Sequence, residues 1–202
     1  MSIKTATHVD PFDSARERGN AGVFGMWVFI AVVAMIFLAC ILGYLVVRLD
    51  RPPGSDWMPP GTPPLPRALL LSTALLVVSS GSMQLAVSAA RRGRRDEVVT
   101  SLGATLVLAA LFLAVQSLAW TELWRAQATI ASGLYAWTFY VLTGVHALHV
   151  LGGLPPLVVA FGNARAGHYL PGDHVGLVLC AMYWHALDAI WLVLYGTLLA
   201  FS

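Results

Sequence analysis

Two apolar stretches of this chain carry ionisable side chains at helical spacing. Residues 139–150 hold His146 and His149 at i, i+3, and residues 183–191 hold His185 and Asp188 at the same interval. Side chains so spaced share one face of a helix. Imidazole and carboxylate on facing helices are the groups with which helical bundles bind metals, and a histidine can ligate haem, so a metal- or haem-binding membrane enzyme is one reading. The other is a hydrogen-bonded structural network, in which Asp188 pairs with a histidine and Tyr140 or Thr143 completes the bonding. Asp188 is the only carboxylate within the apolar spans, whereas a di-metal centre usually needs several, so the network is the preferred reading and neither catalytic nor metal ligands are assigned.

The elements that must position these groups follow from composition. Of 202 residues, 58% are hydrophobic and 11% charged, which no ordinary soluble domain tolerates. Stretches without Asp, Glu, Lys or Arg cover 19–47, 68–90, 98–121, 126–164 and, but for Asp188, 175–202. Each exceeds the roughly 20 residues that carry an α-helix across about 30 Å of hydrocarbon. The two-residue alternation of a membrane barrel is absent, and lipid offers the backbone no hydrogen bonds, so the spans are helices. The expected fold is an all-α integral membrane bundle of five transmembrane helices, at about 23–47, 68–90, 98–120, 135–160 and 175–201. An arm of residues 1–20 precedes the membrane domain of residues 21–202. Gly152, Gly153, Pro155 and Pro156 predict a break near the end of the fourth helix. The first 20 residues have mixed charge and no short apolar core, so the first helix itself is expected to serve as the targeting signal.

Basic residues set the expected orientation. Lys4, Arg16, Arg18, Arg91, Arg92, Arg94, Arg95 and Arg165 flank one side, and Arg48, Arg51, Arg67 and Arg125 the other. The excess puts the amino terminus in the cytoplasm and the carboxyl terminus outside, and the 91–95 cluster reads as a topology signal, not a nucleic-acid site. His146 then lies about 16 Å into its span, near the midplane, and His185 at a similar depth, so the two are expected to meet. Thr73, Ser80, Gln84 and Ser88 form a polar stripe on the second helix of the kind that binds membrane helices together. Trp27 marks the inner end of the first span. Trp184 and Trp191, seven residues apart, share a face expected to pack on another protein or a lipid. Trp57, Trp120, Trp124 and Trp137 read as an aromatic belt, Cys40 and Cys180 as small hydrophobes, and the proline-rich 51–66 loop as a stiff connector.

Several of these residues also carry a family likeness. Phe139-Tyr140, Thr143-Gly144, His146 and His149-Val150, with Tyr183-Trp184-His185, Asp188 and Trp191, closely resemble the signature of subunit III of haem-copper terminal oxidases. The likeness takes in Gly25-Met26-Trp27, the 44–48 exit of the first span, the 57–66 loop, Ser79-Ser80 and Gln116, and so covers roughly residues 20–201. The five-span length resembles the short form of that family, found in quinol oxidases and some cytochrome c oxidases.

The resemblance implies a non-catalytic accessory subunit of a respiratory oxidase in the bacterial cytoplasmic (inner) membrane. It would pack against the catalytic subunit I and other subunits, hold phospholipids, and sustain proton uptake and turnover. It would carry no cofactor, the haems and copper residing in partner subunits. An accessory subunit of a nitric oxide reductase is the alternative, since the same fold serves there; a small transporter would need a second broken helix that the sequence lacks. One departure stands out: where the family commonly has a buried acid after a serine, this chain has Val33 after Val32. A histidine of the fourth span that would bond to that acid must find another partner.

Overall fold

The structure, a computed structural model, describes residues 15–50, 68–131, 133–169 and 174–201. The described residues form five helices and no strand: α1 (Ala15–Leu49), α2 (Ala68–Arg91), α3 (Arg95–Arg125), α4 (Leu134–Ala166) and α5 (Val175–Phe201). All five are long and apolar enough to cross a membrane, as their charge-free stretches require. Trp57 and the proline-rich loop lie outside the described residues. Charges collect at the helix ends, where each opposes the local dipole: Glu17 in the first turn of α1, Asp96 and Glu97 in that of α3, and Arg48 and Arg125 in the last turns of α1 and α3. Helix α1 begins at Ala15, inside the stretch expected as an arm.

Helices α2 to α5 form a closed ring in chain order, α5 returning to pack on α2. Such up-and-down connection suits short links. The tightest is between α2 and α3, where Gly93 takes φ +70° and Arg94 N–H returns to the Ala89 carbonyl at 3.0 Å. Helix α1 stands outside the ring, in contact only with α4 and α5.

The expected break in α4 is not there. The helix runs on through Pro155 and Pro156 to Ala166. The prolines free only the carbonyls one turn back, and within lipid any larger departure from helical geometry would strand more of them. The glycines have a different use. A β-carbon on Gly153 would stand 2.9 Å from the Tyr183 ring and 3.3 Å from that of Trp184, so the missing side chain is what lets α5 lie against α4 here.

Candidate functional site

All five helices contribute to one layer around His146. This side chain is fully buried. Its ring faces Trp191 of α5 at 4.7 Å between centroids, Phe112 of α3 at 5.8 Å and Phe37 of α1 at 6.0 Å. Trp191 in turn meets Phe112 edge-on at 5.3 Å and donates its indole N–H to Thr73 Oγ1 of α2 at 2.9 Å. His149, three residues on, turns toward α1, its ring 5.1 Å from Phe37 and its Nδ1 2.8 Å from the carbonyl oxygen of Val145 in its own helix.

A row of polar contacts joins α2 to α5. Descending from the Thr73–Trp191 bond, Trp184 donates to Ser79 Oγ at 2.9 Å, and His185 is held between Ser80 Oγ at 2.6 Å from Nδ1 and Gln84 Oε1 at 3.2 Å from Nε2. Ser80 is also the side-chain hydrogen-bonding neighbour of Asp188. The stripe on α2 thus serves as interhelical glue through Thr73, Ser80 and Gln84, as its composition implied. Trp184 and Trp191 do not face outward. Each is almost wholly buried in its own bundle, because an indole N–H in lipid needs an acceptor and α2 supplies one for each. Trp27, by contrast, is 61% exposed on α1.

Across α3 and α4, Trp120 donates to Thr143 Oγ1 at 3.0 Å, and Tyr140 donates to the Trp120 carbonyl at 3.1 Å. Thr143 itself donates to Phe139 O at 2.7 Å. Tyr183 donates to the carbonyl of His149 at 2.9 Å.

Of the six residues expected as a single network, four therefore divide into two groups, and His146 and His149 join neither. Tyr140 and Thr143 are occupied by Trp120, and neither reaches Asp188. His185 and Asp188 answer to α2, and His146 and His185 belong to different layers. The cause is angular: the His146 ring packs among Phe37, Phe112 and Trp191, while His185, one residue past the inward Trp184, is turned to the α2 side. Among the described residues no three His, Cys, Asp or Glu side chains converge as a metal-binding group. Val33 lies in the core, 4% exposed, one turn before Phe37.

Sequence reasoning missed three features. Trp120, read as part of an aromatic belt, is an interhelical bridge. At the far end of the bundle, buried Tyr44 and Tyr135 lie within electrostatic reach of each other with Arg48 beside Tyr44, and Arg48 Nε donates to the Phe201 carbonyl of α5 at 2.7 Å. At the opposite end Arg95 of α3 donates to the carbonyls of Ala164 and Arg165, which close α4. In both places an arginine neutralises the negative end of a neighbouring helix. A groove of about 770 Å³ opens between α1, α4 and α5, lined by Phe29, His149, Pro156, Tyr169, Cys180 and Tyr183. Burial pushes the Tyr169 phenol at its mouth above the ordinary tyrosine range, against a hydrogen bond with Asn163 that pulls the other way.

The family model for cytochrome c oxidase subunit III matches residues 13–202. The chain is 35% identical over 176 residues to cytochrome c oxidase subunit 3 of Latimeria chalumnae, 37% over 175 residues to that of Branchiostoma lanceolatum, and 35% over 176 residues to that of Gallus gallus. Each comparison covers 85% of this chain and 66% of the relative, so the chain spans a little under two thirds of the length of these curated relatives. A match of that extent, with five apolar helices beneath it, leaves one assignment: this multi-pass membrane protein belongs to the cytochrome c oxidase subunit III family.

Proposed function

We propose that the chain is a non-catalytic accessory subunit of a respiratory haem-copper terminal oxidase, packed beside catalytic subunit I and other oxidase subunits in the cytoplasmic membrane of a bacterium. The observation that carries the reading is the family match across residues 13–202. The geometry favours a supporting role, because the polar side chains of α5 are largely engaged in holding it to α2: Trp191 on Thr73, Trp184 on Ser79, His185 on Ser80 and Gln84. What the molecule presents to its surroundings is apolar, above all on α1, where Phe24, Trp27 and Met35 are largely uncovered. That face is the proposed docking surface. The groove beside it suits the acyl chains of phospholipids. The haems and copper are assigned to the partners, and the basic flanks favour a cytoplasmic amino terminus.

The test is purification of the intact assembly through a tag on this chain, with identification of the companion polypeptides and a reduced-minus-oxidised optical spectrum. Recovery of an oxidase catalytic subunit with its haem signal is expected. Recovery of a nitric oxide reductase catalytic subunit, or of no haem protein, would overturn the reading.

A further inference from the structure

Two side chains in the heart of the bundle are buried with every polar atom unmatched. His146 is 0% exposed, and neither of its ring nitrogens has a hydrogen-bonding partner among the described residues. Gln116 of α3 is 1% exposed, and both ends of its amide are equally unmatched. Leaving such atoms bare is costly, so the great majority of buried polar groups in native structures find a partner. Here four atoms share the condition. The two residues also share a place. Gln116 sits one helical turn from Phe112, which packs on His146, and one turn from Trp120, which bonds to Thr143. Helices α3 and α4 run antiparallel, so these two contacts bracket Gln116 opposite the turn of α4 that bears His146.

We infer that Gln116 and His146 together form an internal water-binding site between α3 and α4. The chemistry selects the ligand. A neutral imidazole has one donor and one acceptor, and a primary amide has two donors and one acceptor. A cation could engage only the acceptors of such a mixed set and an anion only its donors, and either would leave the rest unmatched. Water, which both donates and accepts, can take the ring N–H, give a proton to the amide oxygen, and serve both residues at once. The aromatic wall of Phe37, Phe112 and Trp191 closes the site from the lipid, so its water would be retained and slow to exchange. This inference stands on the burial and chemistry of the two side chains and is independent of the accessory role proposed above.

The experiment uses the full chain in its assembly, with histidine labelled at both ring nitrogens with ¹⁵N and His146 assigned from the His146→Gln variant. A cross-peak between the His146 ring N–H and water, with the second nitrogen at the shift of a hydrogen-bonded acceptor, is expected. A cross-peak to the Gln116 amide in place of water would replace the site by a direct bond. Shifts typical of unbonded nitrogens would abolish it. The second measurement is a thermodynamic cycle of Gln116→Leu, His146→Leu and the double variant. Coupling of about threefold or more in the unfolding equilibrium is expected, in the range measured for polar pairs between membrane helices. Additive losses with unchanged His146 shifts in Gln116→Leu would overturn the inference.

Discussion

At the scale of single residues, Asp188 and Val33 make opposite cases. Asp188 is nearly buried, and its Oδ1 has no hydrogen-bonding partner among the described residues, with Ser80 as the neighbour that steadies it. An amide of the same shape keeps the contact with Ser80 and removes a charge from a poorly solvated place. Asp188→Asn should therefore unfold at a temperature equal to or above the parent's, measured by scanning fluorescence in detergent. A fall of several degrees would mean the charge itself holds α5 to α2. The sequence alone pointed to a carboxylate held by a histidine or a hydroxyl of the bundle, but could not show that the i, i+3 pair sits beside α2, with Ser80 and His185 as its neighbours. Val33 is the reverse. Its side chain is enclosed, so Val33→Glu inserts a carboxylate into the core at a cost of at least about 2.5 kcal/mol on the lenient membrane-insertion scale. The yield of assembled protein should drop severalfold while Val33→Ile holds it. Normal yield from the glutamate variant would show that a partner for the acid has survived.

At the scale of the helix, what the sequence discloses and what it hides separate cleanly. Spans are legible because charge is excluded from lipid, and the binding stripe on α2 is legible because small polar groups at helical intervals have few other uses there. Direction is harder. In a soluble protein the inward face is the apolar one, but here lipid is as apolar as the core, so the spacing of Trp184 and Trp191 declares a shared face without saying which way it looks. The acceptors Ser79 and Thr73 decide it, and they lie more than a hundred residues away in sequence. Gly153 was misread for a related reason: beside two prolines it looks like a helix breaker, whereas its role is proximity. Gly153→Val should cost about 1–3 kcal/mol by forcing the Tyr183 ring aside, and Gly153→Val with Tyr183→Leu should recover part of it, as unfolding midpoints would register. The end of α3 offers a gain instead. Gln127 holds φ +60°, where a side chain is strained, so Gln127→Gly should raise stability by up to about 1 kcal/mol.

For the molecule as a whole, the accessory role proposed above rests on what it lends a neighbour. A helical subunit without a redox centre acts on its partner through packing, lipid and local electrostatics. Removing this chain should leave the partner's spectrum intact and most of the initial rate of oxygen consumption in place, while inactivation over many turnovers becomes faster, more so at higher pH where protons are scarce. Long time courses with and without the chain decide it: equal inactivation rates would remove the supporting role, and loss of the initial rate would mean a direct part in the chemistry.

The order of contacts carries a consequence for biosynthesis. Helix α1 leaves the ribosome ahead of the other four, yet among the described residues its helix neighbours are α4 and α5 alone. It must therefore wait in the bilayer through roughly 150 residues of further translation, about 8–30 s at ordinary elongation rates, before its docking site is complete. It is equipped for solitude: its best window is the most apolar of the five, with mean hydropathy 2.9, and the least covered in the final fold. Helices α2 and α3, joined by the tight turn at Gly93, can pair as a hairpin while α1 is still alone. Arrest of translation shortly after α3 should then leave a protease-resistant α2–α3 pair with α1 tethered to it by residues 50–67 but packed against neither helix.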